Sequence, residues 1–502
     1  KYKRSFMISD YRSTMELWSY GALVILDPRD RVLIDGQLVE IGAEIAKSFS
    51  DGDRLLSTPD GLLLIPKNES ELVRHCIDEA TEAFNALSNV DDAQIALFYS
   101  RFAQRLEDAE IFGKIRAAND ADVAKASALG RSTTRLVLSD SMRQDMIDAL
   151  LIWNSLATPN SAFETVQHDG WTIESHIAPL GVVGFVFEGR PNVFADATGV
   201  LRSRNVCVFR IGSDAFETAK SIMELAVIPS LTDAGLPAGS VTLLPSKTHA
   251  SAWALFSDRR LSLAVARGSG SSVALLGQIA QQHGIPASLH GTGGAWMVVS
   301  HTADLDRLRD VVAHSLDRKV CNTLNTVVMT RSTVESNLQS VIDGIEIAAS
   351  QRNTHAVLHV DELVSEALGK VVVPQDFVLV NIDHQSLGTE WEWENSPEVS
   401  IVVADSTHMA VEMFNRYSPS FVLSVVSDDD QEIDVAWRTS NAPFFGDGMT
   451  RWVDGQYALR KPELGLSNWQ NGRTFARGGI LNGDSIFTVR YRVRQVDPSV
   501  KR

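Results

Sequence analysis

Apolar residues at the start of the chain come in short runs separated by turn residues. Between Tyr20 and Pro66 these are Ala22 to Leu26, Asp27-Pro28-Arg29-Asp30, Val32 to Ile34, Asp35-Gly36, and Pro59-Asp60-Gly61 before Leu62 to Ile65. Runs of this length bounded by Asp, Pro and Gly read as hairpins. They predict a small β-rich extension over residues 1–67, closed by Pro66-Lys67-Asn68. The period then changes. Leu72, Val73, Cys76, Ile77, Ala80 and Phe84 recur at helical spacing, and further helical patterns cover Ala96 to Leu106 and Met142 to Trp153. Gly170 to His176 then alternates as a strand does.

From Ile177 to Val299 strand and helix patterns take turns. Val182 to Phe187 is an apolar strand, Asn192 stands where a helix to Ser203 would begin, and Val206 to Phe209 is a second strand. A helix from Ala215 to Ala234 stops at Gly235-Leu236-Pro237, ahead of a strand from Val241 to Leu244. The helix His249 to Phe256, the strand Leu261 to Val265, the turn Gly268-Ser269-Gly270 and the helix Ser272 to His283 complete the series. Repeated β-α-β units predict a mostly parallel sheet covered by helices on both faces. Ligands of such sheets sit beyond the carboxyl ends of the strands.

Composition narrows the picture. A chain of 502 residues, 44% hydrophobic and 22% charged, suffices for two or three domains with cores of their own. A net charge of -17 without a long basic run argues against a nucleic-acid surface, because neutralising phosphates takes clustered Lys and Arg. Cys76, Cys207 and Cys321 cannot build a disulfide framework, and no Cys/His spacing reads as a zinc site. A reducing, cytoplasmic setting without a structural metal is therefore expected. The longest apolar run, around Pro179 to Phe187, is far short of a membrane span, and Lys1-Tyr2-Lys3-Arg4 leads into polar residues rather than a signal core.

Two strand ends suit an anionic ligand: Glu188-Gly189-Arg190-Pro191-Asn192 and Arg210-Ile211-Gly212-Ser213-Asp214. Both are tight turns into helix N-termini, where N–H groups and the helix dipole favour negative charge. Asn192 and Asp214 read equally well as plain helix caps. Arg267-Gly268-Ser269-Gly270-Ser271-Ser272 is a similar loop, but it lacks the full Gly-x-Gly-x-x-Gly spacing and a simple turn accounts for it as well. Cys76 lies on an apolar helical stripe and Cys207 inside a strand, so both read as buried small hydrophobes. Cys321 differs: it follows Asp317-Arg318-Lys319-Val320 and precedes the β-rich run Leu324 to Met329. Nearby cations lower a thiol pKa and favour the thiolate that attacks carbonyls. By local sequence alone a half-buried structural cysteine fits equally.

The order of the short segments says more than any one of them. Ala118-Asn119, Asp122 and Arg135-Leu136-Val137-Leu138 come first, then Pro179-Leu180-Gly181-Val182-Val183-Gly184 with Glu188-Gly189-Arg190-Pro191-Asn192-Val193. Asn205 to Arg210, Gly235-Leu236-Pro237-Ala238-Gly239, Arg267-Gly268, Thr292-Gly293-Gly294 and Cys321-Asn322-Thr323 follow, and Thr450 to Gly455 and Ala476-Arg477-Gly478 close the set. In this order, from about residue 70 to the end, the chain resembles the glutamyl phosphate reductases of the aldehyde dehydrogenase superfamily. The resemblance implies an α/β fold with a Rossmann-like parallel-sheet cofactor domain over 68–290, including the arm strand near 170–176. It further implies an α/β catalytic domain over 291–440 and a return to the cofactor domain over 441–502, ending in a β oligomerisation arm. Ile486 to Val493 alternates cleanly and would pair with Trp171 to His176 in that arm, making a homodimer or homotetramer.

The implied reaction is NADPH-dependent reduction of an acyl phosphate through a Cys321 thioester, with NAD as the other cofactor. The resemblance assigns Cys321 and Asn192 to catalysis, and Arg190, Arg451 and Asn322 to the substrate. Arg210, Gly212, Ser213, Arg267, Gly268, Thr292 and Gly293 fall to the cofactor, with 2′-phosphate recognition expected around Arg210. Hydrolytic aldehyde dehydrogenases place a Glu just before a Gly-Gly pair; here that place reads His290-Gly291-Thr292-Gly293-Gly294, which offers no such base. Three departures stand out: Asn325 where the reductases carry Glu, Trp296-Met297 where they carry His, and Tyr457 to Glu463 in place of a Gly-rich run. They admit a different activated acyl group, such as a thioester on coenzyme A or a carrier protein, or a non-catalytic scaffold. The partners expected are a small activated acyl substrate and an upstream kinase or acyl carrier.

Overall fold

The helical stripes after Asn68 become four helices, Lys67–Ala86, Asp92–Glu107, Ala109–Ala128 and Asp140–Ser155, in a computed structural model. The structure describes residues 14–15, 26–34, 37–59, 61–156, 162–453, 455–466 and 479–501. The expected segments Lys1 to Arg4, Ala22 to Ile25, Asp35-Gly36, Asp60, Asp454 and Ala476 to Gly478 lie outside these residues. The second helix starts earlier than its apolar stripe because Asp91 and Gln94 form a reciprocal capping box.

Two compact units emerge, one of Lys1–Leu289, Arg460–Gly465 and Leu481–Arg502, the other of His290–Leu459 and Leu466–Ile480. The N-terminal hairpin pairing is present: Arg31–Ile34 pairs antiparallel with Gln37–Glu40, and Arg54–Thr58 with Gly61–Ile65. Leu56 and Ile65 are fully buried in the main core of the first unit. Burial of this kind ties residues 54–65 to that unit instead of leaving them on an appendage.

The first unit is built on a five-stranded sheet in the order Val241–Leu243, Val206–Ile211, Val182–Phe187, Leu261–Arg267, Ala287–His290. Numbered along the chain this is 3-2-1-4-5, with the order reversing between Val182–Phe187 and Leu261–Arg267. The three strands at its centre pair in parallel, and Val182–Phe187 and Val206–Ile211 are buried at every position, as strands covered on both faces must be. The Asn119 amide donates to the Leu136 carbonyl and accepts from the Leu138 N–H at 2.8 Å, while Asp122 accepts from the N–H and the hydroxyl of Thr218. The Asn-x-x-Asp pair of the sequence is thus a stitch between helix, loop and helix.

The long helix expected from Ala215 to Ala234 is broken into Phe216–Ile222, a wide π turn over Met223–Val227, and Ile228–Asp233. Pro229 explains the break, since it has no N–H for the carbonyl one turn earlier and the helix widens to absorb it. Away from the parallel sheet, Thr488–Gln495 pairs antiparallel with Trp171–Ala178 from Thr488↔Ala178 to Gln495↔Trp171, and Ala162–His168 adds a third strand.

The second unit carries a seven-stranded sheet in the order Val378–Asn381, Val357–Val360, Glu398–Ala404, Leu324–Thr330, Ala295–Val299, Val422–Val426, Phe444–Gly446. All six pairings between its neighbouring strands are parallel. Phe444–Gly446 belongs to this sheet, so the unit runs past the boundary expected near residue 440, as far as Leu459. Trp296 and Met297, at the place where the resemblance leads one to expect His, are fully buried core residues of the strand Ala295–Val299.

Candidate active site

Three strand-end loops of the first unit lock together around Glu188. Its backbone N–H donates to the Arg267 carbonyl at 3.1 Å, and its carboxylate accepts from the Ser269 N–H at 2.8 Å. The Gly212 N–H donates to the Phe187 carbonyl at 2.9 Å, and a Cβ on Gly212 would press on the Gly189 nitrogen at 3.3 Å. A Cβ on Gly268 would run into the Glu188 carboxyl at 2.5 Å. A side chain at Gly268 would make the Glu188 carboxyl shift. The result is a cradle of backbone at the carboxyl ends of strands 1, 2 and 4, on the reversal of strand order, where open α/β sheets take their nucleotides. These residues fit a dinucleotide.

The charged candidates around this cradle are more committed than their sequence shows. Arg210 is buried and its Nη2 donates to the carbonyls of Lys247 and Thr248 at 3.1 and 2.9 Å. Burial pulls its pKa below the ordinary guanidinium range. Arg210 therefore fixes the next strand-end loop, rather than offering its fork to a ligand. Arg267 faces Glu463 at 3.6 Å. Neither Asn192 nor Asp214 caps a helix with its side chain. The Asn192 backbone is helical, not extended, and its amide donates to Asp196 at 3.2 Å. Asp214 pairs with Arg131 and accepts from the Ser213 hydroxyl at 3.3 Å. Arg190 is half-buried in the same loop as Asn192.

In the second unit Cys321 ends a loop that leads into Leu324–Thr330, at the amino end of the sheet. Both flanks of the thiol are bolted down. Asn322 is 2% exposed; its Nδ2 donates to the Val453 carbonyl at 2.6 Å and its Oδ1 accepts from Arg451. Arg451 Nε donates to Asp317 at 2.6 Å, so one guanidinium spans the loop from residue 317 to residue 322. The Thr323 hydroxyl donates to the Arg318 carbonyl at 2.6 Å and accepts from the Val320 N–H at 2.9 Å. Asn322 and Arg451, expected at the substrate, spend these polar atoms on the Cys321 loop.

Gly293 and Gly294, which follow Thr292 directly, belong with the Cys321 loop. The Gly294 N–H donates to the Cys321 carbonyl at 2.7 Å, and a Cβ on Gly293 would lie 2.4 Å from that carbonyl oxygen. The turn is held from the other side by Glu390, whose carboxylate accepts from the Gly293 N–H and pairs with Lys319 at 2.5 Å. Lys319 and Glu390 are 6% and 11% exposed, so this is a buried ion pair. The Lys319 charge that the sequence offered to the thiol is largely balanced by Glu390.

Glu390 was not legible in the sequence. It lies in Thr389-Glu390-Trp391-Glu392-Trp393, where acids alternate with tryptophans before a strand; that alternation is the one local signal. Asn325 clips the segment in place, donating to the Thr389 carbonyl and accepting from the Trp391 N–H, each at 2.8 Å. A carboxylate could not make the first bond. The departure at Asn325 is thus a structural exchange, an amide that donates and accepts at once.

The other two thiols are inert by comparison. Cys76 and Cys207 are buried; burial, helped by Glu79, pushes the Cys76 thiol up to about 11, and burial pushes Cys207 higher still. Cys321 is half-buried against Ala295, Phe421 and Val453. No group of three or more His, Cys, Asp or Glu among the described residues could hold a metal, and no helix among them is long and apolar enough to cross a membrane.

Comparisons with known proteins agree with this geometry. Residues 57–352 match the model of the aldehyde dehydrogenase family. The chain is 29% identical over 400 residues to the gamma-glutamyl phosphate reductase of Bradyrhizobium diazoefficiens, covering 76% of this chain and 84% of that protein. Among solved structures, the gamma-glutamyl phosphate reductase of Thermotoga maritima superposes with a TM-score of 0.74 at 21% identity, over 86% of this chain and all of the other. A propionaldehyde dehydrogenase of Rhodopseudomonas palustris with bound propionyl-CoA shares the fold at a TM-score of 0.61 and 11% identity, over 84% of this chain and 94% of that one. With more than half its length matched by that family model, this chain belongs to the aldehyde dehydrogenase family.

Proposed function

We propose that the chain reduces an acyl phosphate of the glutamyl phosphate kind to an aldehyde, with Cys321 as covalent nucleophile and NADPH as reductant. The carrying observation is the Cys321 loop. Of the three thiols it alone is half-exposed, and its flanks are fixed by Arg451, Asn322 and the Gly293-Gly294 turn. Likeness to relatives named gamma-glutamyl phosphate reductase supports the acyl phosphate.

In this scheme the Cys321 thiolate attacks the acyl carbon, the bond from that carbon to the phosphate oxygen breaks, and phosphate departs with the electron pair, leaving a thioester. The oxygen that turns negative is met by the Cys321 N–H. A nicotinamide dinucleotide, when bound, would supply the hydride that takes the acyl carbon to the aldehyde level, and the carbon–sulfur bond breaks to return the Cys321 thiolate. The loops of Glu188, Gly212 and Gly268 would hold its phosphates, at the end of the sheet where helix N-termini point. Water must be kept from the thioester. Glu390, which touches the Gly293-Gly294 turn, has one carboxylate oxygen on the Gly293 N–H and the other on Lys319, so both are already engaged.

The three-stranded arm is proposed to join copies of the chain, and the three thiols suit a reducing compartment such as the cytoplasm. Running the reaction backwards tests the substrate. Aldehyde oxidation with NADP should depend on added phosphate; dependence on coenzyme A instead would overturn the acyl phosphate. One observation favours that second reading: Lys319 and Arg451 already have carboxylate partners in Glu390 and Asp317, and a thiol leaving group asks less of a cation than phosphate does.

A further inference from the structure

A doubly wound sheet places the adenosine ribose of a dinucleotide beside the end of its second strand, where an acid reads the 2′-hydroxyl of NAD or an Arg accepts the 2′-phosphate of NADP. Here that strand is Val206–Ile211 and the turn after it is Gly212-Ser213-Asp214. Two guanidinium groups stand close by. Arg210 is buried and holds the carbonyls of Lys247 and Thr248. Arg131 comes from the turn after the helix Ala109–Ala128, is 51% exposed, and pairs with Asp214.

An Asp standing alone at this point would repel a 2′-phosphate. Asp214 does not stand alone, because Arg131 balances its charge and the Ser213 hydroxyl donates to the same oxygen. A guanidinium carries five donors in a rigid fork, so a contact with one carboxylate oxygen is compatible with a second anion on its exposed side. Lys247, a further cation in this region, is paired with Glu217 at 2.6 Å and lies over the Phe216 ring at 4.9 Å. Of the two guanidinium groups, only that of Arg131 is both at the ribose position and open to solvent.

We infer that Arg131, braced by Asp214, reads the 2′-phosphate and sets the chain's preference for NADP over NAD; this rests on the nicotinamide site proposed above. The full chain is titrated with NADPH, NADH and 2′,5′-ADP, following tryptophan fluorescence or heat. Wild type is expected to bind NADPH more tightly than NADH. Arg131→Ala should weaken NADPH and 2′,5′-ADP about ten- to a hundredfold, the worth of a charge-assisted bond, while NADH changes by less than about twofold. Arg131→Lys should keep part of the preference. Retained NADH binding doubles as the control for folding. Equal loss for both dinucleotides, no loss for either, or a wild type that prefers NADH overturns the inference alone. A wild type that binds neither dinucleotide overturns the nicotinamide site, and the inference with it.

Discussion

Gly293 lies flat against Cys321: a Cβ at Gly293 would stand 2.6 Å from the Cys321 Cα and 2.8 Å from its Cβ. Gly293→Ala has to push the loop of Cys321, the proposed nucleophile, aside. Misplacing a nucleophile by an ångström costs about a hundredfold in rate, so kcat should fall by that order. Overpacking should cost the fold only about 1–3 kcal/mol. Kinetics and urea unfolding of one preparation check the split; full activity would show that the contact does not serve the chemistry.

Lys319 and Glu390 should be inseparable. Lys319→Met strands a buried carboxylate and is expected to cost about 3–5 kcal/mol. Adding Glu390→Gln should recover most of that loss, because a glutamine oxygen still accepts the Gly293 N–H. Denaturation of the four proteins measures the coupling. Simple additivity would mean that the pair is not a unit.

Asn325→Asp removes the donor that meets the Thr389 carbonyl and sets a carboxylate against it. Leaving that buried carbonyl unsatisfied should cost about 1–3 kcal/mol, read as a lower thermal midpoint. A midpoint equal to wild type would deny the clip between Asn325 and the Glu390 segment.

Thiol reactivity should sort by burial. With its thiol pushed up to about 11, Cys76 carries about a hundredfold less thiolate at pH 8 than an ordinary cysteine, and Cys207 less again. Iodoacetamide at pH 8 should label Cys321 alone in the native chain and all three thiols in denaturant, as peptide mass spectrometry will show. As pH rises through 11 under native conditions, Cys76 should begin to react. A catalytic thiol is shielded by bound nicotinamide or aldehyde; labelling of Cys321 that ignores both would point to a scaffold without chemistry.

Tyr491 and Val493 leave 72% and 59% of their surface exposed on the arm strand Thr488–Gln495. If the arm joins copies of the chain, replacing both residues by Glu should shift the protein to monomer in sedimentation at micromolar concentration. An unchanged assembly would place the interface elsewhere.

What the sequence carried and what it lost follow from distance along the chain. Strands such as Val182–Phe187 and helices such as His249–Phe256 were legible to the residue, because period and turn residues are local. The pairing of Thr488–Gln495 with Trp171–Ala178 was legible for a similar reason: both strands alternate. The roles of Asn322 and Arg451 were not, since their partners lie more than a hundred residues from them. Arg210 read as a ligand group because sequence shows a charge but not its burial, and Glu390 escaped because only the fold brings it to Gly293. Pro229 was in plain sight, yet whether a helix breaks at proline or widens depends on the packing around it.

The first unit is interrupted in sequence by the second, and Leu464, Leu481 and Ile486 complete its core from the far side of that interruption. A ribosome makes these residues after most of the second unit. The second unit therefore has nearly its whole sequence available while the first still lacks part of its core and the arm strand that covers Trp171–Ala178. Until Thr488–Gln495 emerges, that strand keeps an unpaired edge during synthesis, the state in which chains aggregate or pair with the wrong copy. The strand that closes this edge is thus the same one proposed to join copies of the chain.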